Sequence, residues 1–261
     1  MGTSLIFELL GRWHMEFGWS DDQVALREQV REFIATNVTE ELVGEMEGEE
    51  GANPGAETSR TRGPEASALR EKIYQKGWLG IAWPKEYGGA GKDRMTQYIV
   101  EEEFSRVGVQ VGGGGSGAPA IMAAGTEEQK NEYIPKLIKG EYSLALGFTE
   151  PSGGADLASL QCRAVEDGDF FVINGQKIFT SSAHSATHIY LMCRTNPDAP
   201  KHRGISILLF PMDTPGITVR PLWTMQNDPQ APPGTTYGTP RTNETFFEDV
   251  RVPKSALLGE K

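Results

Sequence analysis

The sequence predicts an α+β chain in which an all-helical N-terminal part gives way, near residue 142, to an all-β part. Three observations carry this. Apolar residues recur with helical period up to Lys139. From Ser143 onward they fall instead into short runs of strand-like alternation. The dipeptides Asp167-Gly168 and Asn174-Gly175 separate such runs as hairpin turns, because both central residues of a type I′ turn need positive φ. A switch of period without return implies two domains, residues 15–142 and 143–261.

Element by element, Ser20 followed by Asp21, Asp22 and Gln23 reads as an N-cap with a capping box. Val24, Leu26, Val30, Phe33, Ile34 and Val38 then lie roughly on one helical face. Residues 51–64, rich in Gly, Pro, Thr and Ser, form a loop. A second helix runs from Glu65 to Lys76 and ends at Gly77. Residues 78–91 carry turn signals, helices follow over Arg94–Val107 and Pro119–Ala124, and Thr126 caps another that reaches Lys139. Strands are expected at Ser143–Phe148, Leu160–Val165, Phe170–Ile173, Gln176–Thr180, His188–Thr195, Ile205–Pro211, Ile217–Pro221 and Glu244–Val250. Residues 225–243, with Pro229, Pro232, Pro233 and Pro240, read as an irregular surface loop.

Bulk properties exclude several classes. With 261 residues the chain can bury a full core without disulfide staples. A formal charge of −11 argues against nucleic acid, which needs clustered Lys and Arg. Six of the 36 acidic residues crowd into Glu40–Glu50, read as a solvated helix end rather than a cation site. No apolar run approaches the roughly 20 residues of a membrane span. Cys162 and Cys193 sit in apolar or alternating runs as small buried thiols, so a reducing, cytoplasmic location is expected. Met1–His14 has neither a basic region with a cleavage site nor a run of arginines, and is read as an extension ahead of a natural start at Met15.

Among candidate chemistries, Gly112–Gly117 satisfies G-x-G-x-x-G, yet a helix precedes it where a dinucleotide loop requires a strand. It is read as a helix–helix connection. His184 and His188 have metal-like spacing only on a helix, and here the segment enters a strand. No G-x-S-x-G elbow supports serine hydrolysis. The stretch from Leu146 to Asp156 differs. A strand running into Ser152-Gly153-Gly154 exposes backbone N–H groups in a bend that suits a flavin pyrimidine edge or a pyrophosphate. Thr149 adds a hydroxyl; Phe179 offers a flat face, and Ser181 points the same way from a strand. The residues alone leave a second reading open, a buried strand Phe beside hairpin polar groups.

From Met15 onward the chain resembles the acyl-CoA dehydrogenase family. The resemblance rests on Gly77–Gly89 (GWLGIAWPKEYGG), Gly125–Lys130, Pro135–Glu141, Phe148-Thr-Glu-Pro151, Asn174-Gly-Gln-Lys177, Phe246–Pro253 and Leu257–Glu260, in this order and spacing. It implies an N-terminal α-helical domain, a middle β-barrel-like domain and bound FAD. Leu146, Phe148, Thr149, Gly154, Ala155, Phe179, Thr180 and Ser181 are the FAD-binding residues it implies, with Ala155 also on the CoA side. By the same resemblance Phe179 stacks beside the isoalloxazine, Ser181 bonds near flavin N5, and Phe148 and Thr149 meet the pyrimidine end. The implied reaction is α,β-dehydrogenation of an acyl-CoA: a carboxylate takes the α proton while the β hydrogen leaves as hydride to the flavin. A tetrameric homo- or hetero-oligomer and an electron-transfer flavoprotein as electron acceptor are further implications.

The sequence departs from the family at three places. Ala155 stands where the family has Ser, Phe179 where it often has Trp, and Lys261 ends the sequence where a further helical domain with the catalytic Glu is expected. No catalytic base is therefore assigned, neither Glu150 nor Glu101–Glu103. Two other readings stay open: a non-catalytic partner subunit of a heteromeric acyl-CoA dehydrogenase, and flavin oxidase or monooxygenase chemistry on the same scaffold.

Overall fold

A computed structural model describes residues 18–47, 63–109, 111, 115, 117–225, 227–228, 230–231, 238 and 240–259. The expectations for residues 1–17, for most of loop 51–64, for Gly112–Gly114 and Ser116 and for Pro229, Pro232 and Pro233 lie outside these residues. Helices come first: α1 (Asp21–Asn37), α2 (Glu40–Glu47), α3 (Pro64–Gln75), α4 (Arg94–Ser105), α5 (Ala118–Ala124) and α6 (Glu127–Lys139). Capping boxes open both α1, at Ser20 and Gln23, and α6, at Thr126 and Gln129, and satisfy N–H groups that the first turn leaves without partners. Gly77 (φ +69) and Gly140 (φ +76) take the left-handed conformation just past α3 and α6, where a side chain would be strained.

The strands are β1 (Leu144–Gly147), β2 (Arg163–Asp167), β3 (Phe170–Lys177), β4 (His188–Arg194), β5 (Ile205–Pro211), β6 (Ile217–Pro221) and β7 (Asn243–Pro253). They form one curled sheet in the order β1-β4-β2-β3-β7-β6, with β5 pairing β4. β1 and β2 run parallel to β4, and the other pairings are antiparallel. Alternation along β1, β4 and β5 divides their side chains between two cores. Leu144, Leu146, Phe148, Tyr190 and Leu209 join the helical core, whereas Ala145, Ile189, Leu191, Leu208 and Phe210 pack inside the half-barrel. The helical layer therefore covers one face of the sheet and the half-barrel closes over the other.

Two strand expectations are corrected. Asn174-Gly175 is not a hairpin turn, for β3 continues through it with a bulge against β7. The Asn174 side chain exchanges two hydrogen bonds with Asp249 across that bulge, each 3.0 Å. A Cβ on Gly175 would lie 2.7 Å from the Cys162 Cα, so glycine is required by a close approach and not by a turn. The strand expected over Gln176–Thr180 ends at Lys177, because Phe179 breaks extended geometry with φ +57. The Asp167-Gly168 hairpin does form, with Gly168 and Asp169 as its central pair.

Candidate functional site

The topology makes the Thr149–Asp156 bend unavoidable. Gly147 pairs with Leu191 and Arg163 with Arg194 on β4, so residues 148–162 face only Met192 and Cys193. The surplus chain must leave the sheet as a closed loop. Glu150, 5% exposed, ties that loop at its base. Its carboxylate accepts from the Gln161 N–H (2.5 Å) and the Cys162 N–H (2.8 Å), joining the entry of the loop to its exit. Arg194 holds the exit from the other side by donating to the carbonyls of Ala158 (2.7 Å), Leu160 (3.4 Å) and Lys201 (3.0 Å).

The counter-charge is Lys177, wholly buried at the end of β3. Its Nζ donates to Glu150 Oε1 at 2.8 Å and to the Phe148 carbonyl at 3.1 Å. Burial pushes the Glu150 carboxyl up. Hydrogen bonds from Lys177, Cys162 and Gln161, with the lysine charge, more than offset this and hold it below the usual glutamate range. Just beyond Lys177, the Ile178 N–H donates to the Thr149 carbonyl at 2.9 Å. The two glycine- and hydroxyl-bearing segments are thereby joined at their bases.

The second segment is a turn, not a strand. Phe179 (φ +57) and Ser182 (φ +56) both occupy the left-handed region, sparsely populated by residues with a side chain. Phe179 is 57% exposed, large for an aromatic ring. The alternation that was to aim Ser181 with Phe179 therefore does not apply. Each sequence-predicted site residue can be placed. Thr149, Gly154, Ala155, Phe179 and Ser181 are exposed, and Leu146 and Phe148 are half-buried. Thr180 is fully buried, its backbone exchanging hydrogen bonds with Asn243. A Cβ on Gly154 would meet no atom within 4 Å, so the bend is open to a neighbouring group at that point. An exposed ring, two hydroxyls and an open glycine bend fit a planar heteroaromatic group with polar edges.

Glu101, Glu102 and Glu103 stand on α4 within an ion-pair and hydrogen-bond layer. Buried Glu103 accepts from Arg31 at 2.7 and 3.0 Å, and Arg27 and Arg106 complete the cluster with Glu102. The Arg31 hydrogen bond holds Glu103 below the usual carboxylate range despite desolvation. Gln97 donates to Glu101 at 2.7 Å. His184 lies near Asn243 while His188 sits between Tyr133 and Tyr142, and among the described residues no group of three potential ligands gathers for a metal. Sequence reasoning missed three residues that organise the site, Lys177, Arg194 and Asn243. One signal was legible: Lys177 shares inward parity with Phe171 and Ile173, and a buried lysine requires a carboxylate.

Comparison with known proteins identifies this architecture. The family model "Acyl-CoA dehydrogenase, N-terminal domain" matches residues 20–141, and "Acyl-CoA dehydrogenase, middle domain" matches residues 145–235. The chain belongs to the acyl-CoA dehydrogenase family. It is 37% identical over 258 residues to acyl-CoA dehydrogenase FadE26 of Mycobacterium tuberculosis, covering 95% of this chain and 58% of FadE26. Among solved structures, the ChsE4–ChsE5 complex of M. tuberculosis is similar, with TM-score 0.74, 35% identity and 95% of this chain against 58% of that one. So is the Tcur3481–Tcur3483 steroid ACAD, with TM-score 0.73, 37% identity and coverages of 94% and 59%. A glutaryl-CoA dehydrogenase from Mycobacterium smegmatis in complex with FADH2 matches at TM-score 0.65, 26% identity and coverages of 92% and 56%. The chain thus spans less than two thirds of the length of each.

Proposed function

We propose that this chain holds FAD between the Thr149–Ala155 bend and the Phe179–Ser181 turn, and serves the α,β-dehydrogenation of an acyl-CoA thioester. The observation that carries the reading is the joining of these two segments, through Ile178 to Thr149 and through Lys177 to Phe148 and Glu150. Bound FAD supplies the hydride acceptor that the reaction needs. The chain's own contribution is alignment. The Phe179 ring offers a stacking face, the Thr149 and Ser181 hydroxyls offer hydrogen bonds at the ring's polar edges, and the glycine bend admits close approach. By the family resemblance Ala155 faces the CoA side, where it offers no side-chain donor. Glu150, Glu102 and Glu103 are held in ion pairs, so none of them is assigned to proton abstraction.

The resemblance to a glutaryl-CoA dehydrogenase solved with FADH2 supports the cofactor, and the steroid ACAD supports a sterol-derived acyl group as substrate. An electron-transfer flavoprotein is the proposed electron acceptor. Two free thiols favour a reducing, cytoplasmic location. A second reading, a non-catalytic partner subunit of a heteromeric enzyme, is favoured by likeness to the ChsE4–ChsE5 complex.

Titration with FAD, followed by flavin absorbance and fluorescence, tests the main reading. Binding should weaken about tenfold in Phe179→Ala, the loss expected of one aromatic stack. The reading fails if neither the chain nor a longer protein containing it retains flavin. Co-purification with a second acyl-CoA dehydrogenase chain that carries all the bound flavin would favour the partner-subunit reading.

A further inference from the structure

We infer that Asn243 is the positioning residue for the Phe179–Ser182 turn, acting through that turn on the flavin; the inference rests on the cofactor reading above. Asn243 opens β7 and is 0% exposed. Its backbone exchanges two hydrogen bonds with Thr180, Thr180 N to Asn243 O at 2.9 Å and Asn243 N to Thr180 O at 3.1 Å. Its side-chain Nδ2 lies 3.0 Å from the Thr180 carbonyl, 3.2 Å from the Arg241 carbonyl and 3.1 Å from His184 Nδ1. Two carbonyl acceptors require the amide nitrogen at that position, which fixes the orientation of the group. They also make His184 Nδ1 an acceptor. The Arg241 carbonyl in turn accepts from the Ser182 N–H at 2.7 Å. One amide therefore clamps both ends of a turn whose Phe179 and Ser182 both carry positive φ. Strain of this kind persists only where surrounding contacts over-determine it.

The acceptor side of the same amide points to orientation over stability. Among the described residues Asn243 Oδ1 meets no hydrogen-bond partner, nor do Thr180 Oγ1 and the equally buried Thr245 Oγ1. A buried acceptor without a partner is destabilising, so an apolar residue of similar size would serve packing better. What asparagine supplies here is a two-hydrogen donor that bridges the Thr180 and Arg241 carbonyls, with His184 Nδ1 sharing one of the hydrogens.

The test compares the unaltered chain with Asn243→Leu and Asn243→Asp. Leu keeps the branching at Cγ and the number of heavy atoms, with somewhat more bulk, and removes both the donor and the unsatisfied oxygen; Asp keeps the shape and turns the donor into a third oxygen facing two carbonyls. Hydrogen exchange at the Thr180 and Ser182 amides, global unfolding and FAD titration are measured on each. Asn243→Leu should leave the unfolding midpoint unchanged or raised, while exchange at Thr180 and Ser182 speeds up about tenfold and FAD binding weakens about tenfold. Asn243→Asp should show a larger loss of both. Unchanged exchange at these two amides in Asn243→Leu would overturn the inference, as would FAD binding at unaltered strength with the turn loosened. If neither the unaltered chain nor a longer protein containing it takes up FAD, with exchange still accelerated in the variants, the cofactor reading falls and the clamp on the turn stands established.

Discussion

At the scale of single residues, the site depends on groups that hold others in place. Glu150 is the clearest case. Its carboxyl lies below the usual glutamate range in the folded chain, so its contribution is fully present above the unfolded value, about pH 4.3. That contribution is lost as pH falls through the folded value. Urea unfolding across the acid range should therefore show a shallower acid limb in Glu150→Gln, which has no charge to lose. The variant should also be about 3 kcal/mol less stable near neutral pH, because Lys177 remains buried without a counter-charge. Phe179 makes the opposite demand. A non-glycine residue in the left-handed region costs about 1 kcal/mol or more. Phe179→Gly relieves this and adds about 0.5–1 kcal/mol of chain entropy to be lost on folding. Its unfolding midpoint should stay close to that of the parent while flavin binding drops, a separation of stability from binding that calorimetry and flavin titration can read. Ring exposure and φ at Phe179 were not legible in the sequence, since nothing local marks Ile178-Phe179-Thr180 as anything but a strand end.

At the scale of elements, local signals were read well where the chain itself supplies the partner. Ser20 with Gln23 and Thr126 with Gln129 form the capping boxes that their spacing announces, because a helix start satisfies its own N–H groups within one turn. β5 and β6 begin and end where alternation placed them. Asn174-Gly175 misled for a physical reason. Glycine and asparagine mark any left-handed or crowded backbone, and a bulge beside a neighbouring strand needs them as much as a hairpin does. Cys162, not a turn, excludes a side chain at Gly175. Gly175→Ala should therefore cost about 2 kcal/mol or more through overpacking against Cys162. Because Glu150 binds the Cys162 N–H, the same variant should also loosen the loop base, visible as faster proteolysis between residues 150 and 161. The free thiols illustrate burial from the other side: desolvation pushes Cys162 up to about 11 and Cys193 higher still, which leaves both unreactive near neutral pH.

At the scale of the whole molecule, the helical layer and the half-barrel are knitted together by shared core residues and by α6. Gln129 donates to the carbonyls of Ser255 (3.1 Å) and Leu257 (2.6 Å) and accepts from the Gly259 N–H (3.0 Å). It thus secures the segment after β7 to the helix it helps to cap. Gln129→Ala should cost about 2–3 kcal/mol, since several groups of a half-buried network lose partners at once. Denaturant unfolding monitored separately by tryptophan fluorescence, from the helical layer and residue 223, and by far-ultraviolet dichroism should move together. Separate transitions would refute the shared core. No helix among the described residues is long and apolar enough to cross a membrane.

The sequence by itself determined that helices precede strands, the two-part architecture and the family, because periodicity, caps and motif spacing are properties of the chain alone. Tertiary structure decided how the site is assembled. Register on β4 forces residues 148–162 out of the sheet. The meeting of Glu150 with Lys177, and of Asn243 with Thr180, depends on which strands become neighbours. Partners separated by 27 and 63 residues leave no periodic trace between them. Only the fold brings them within hydrogen-bonding distance, and it is these pairings that shape the bend and the turn.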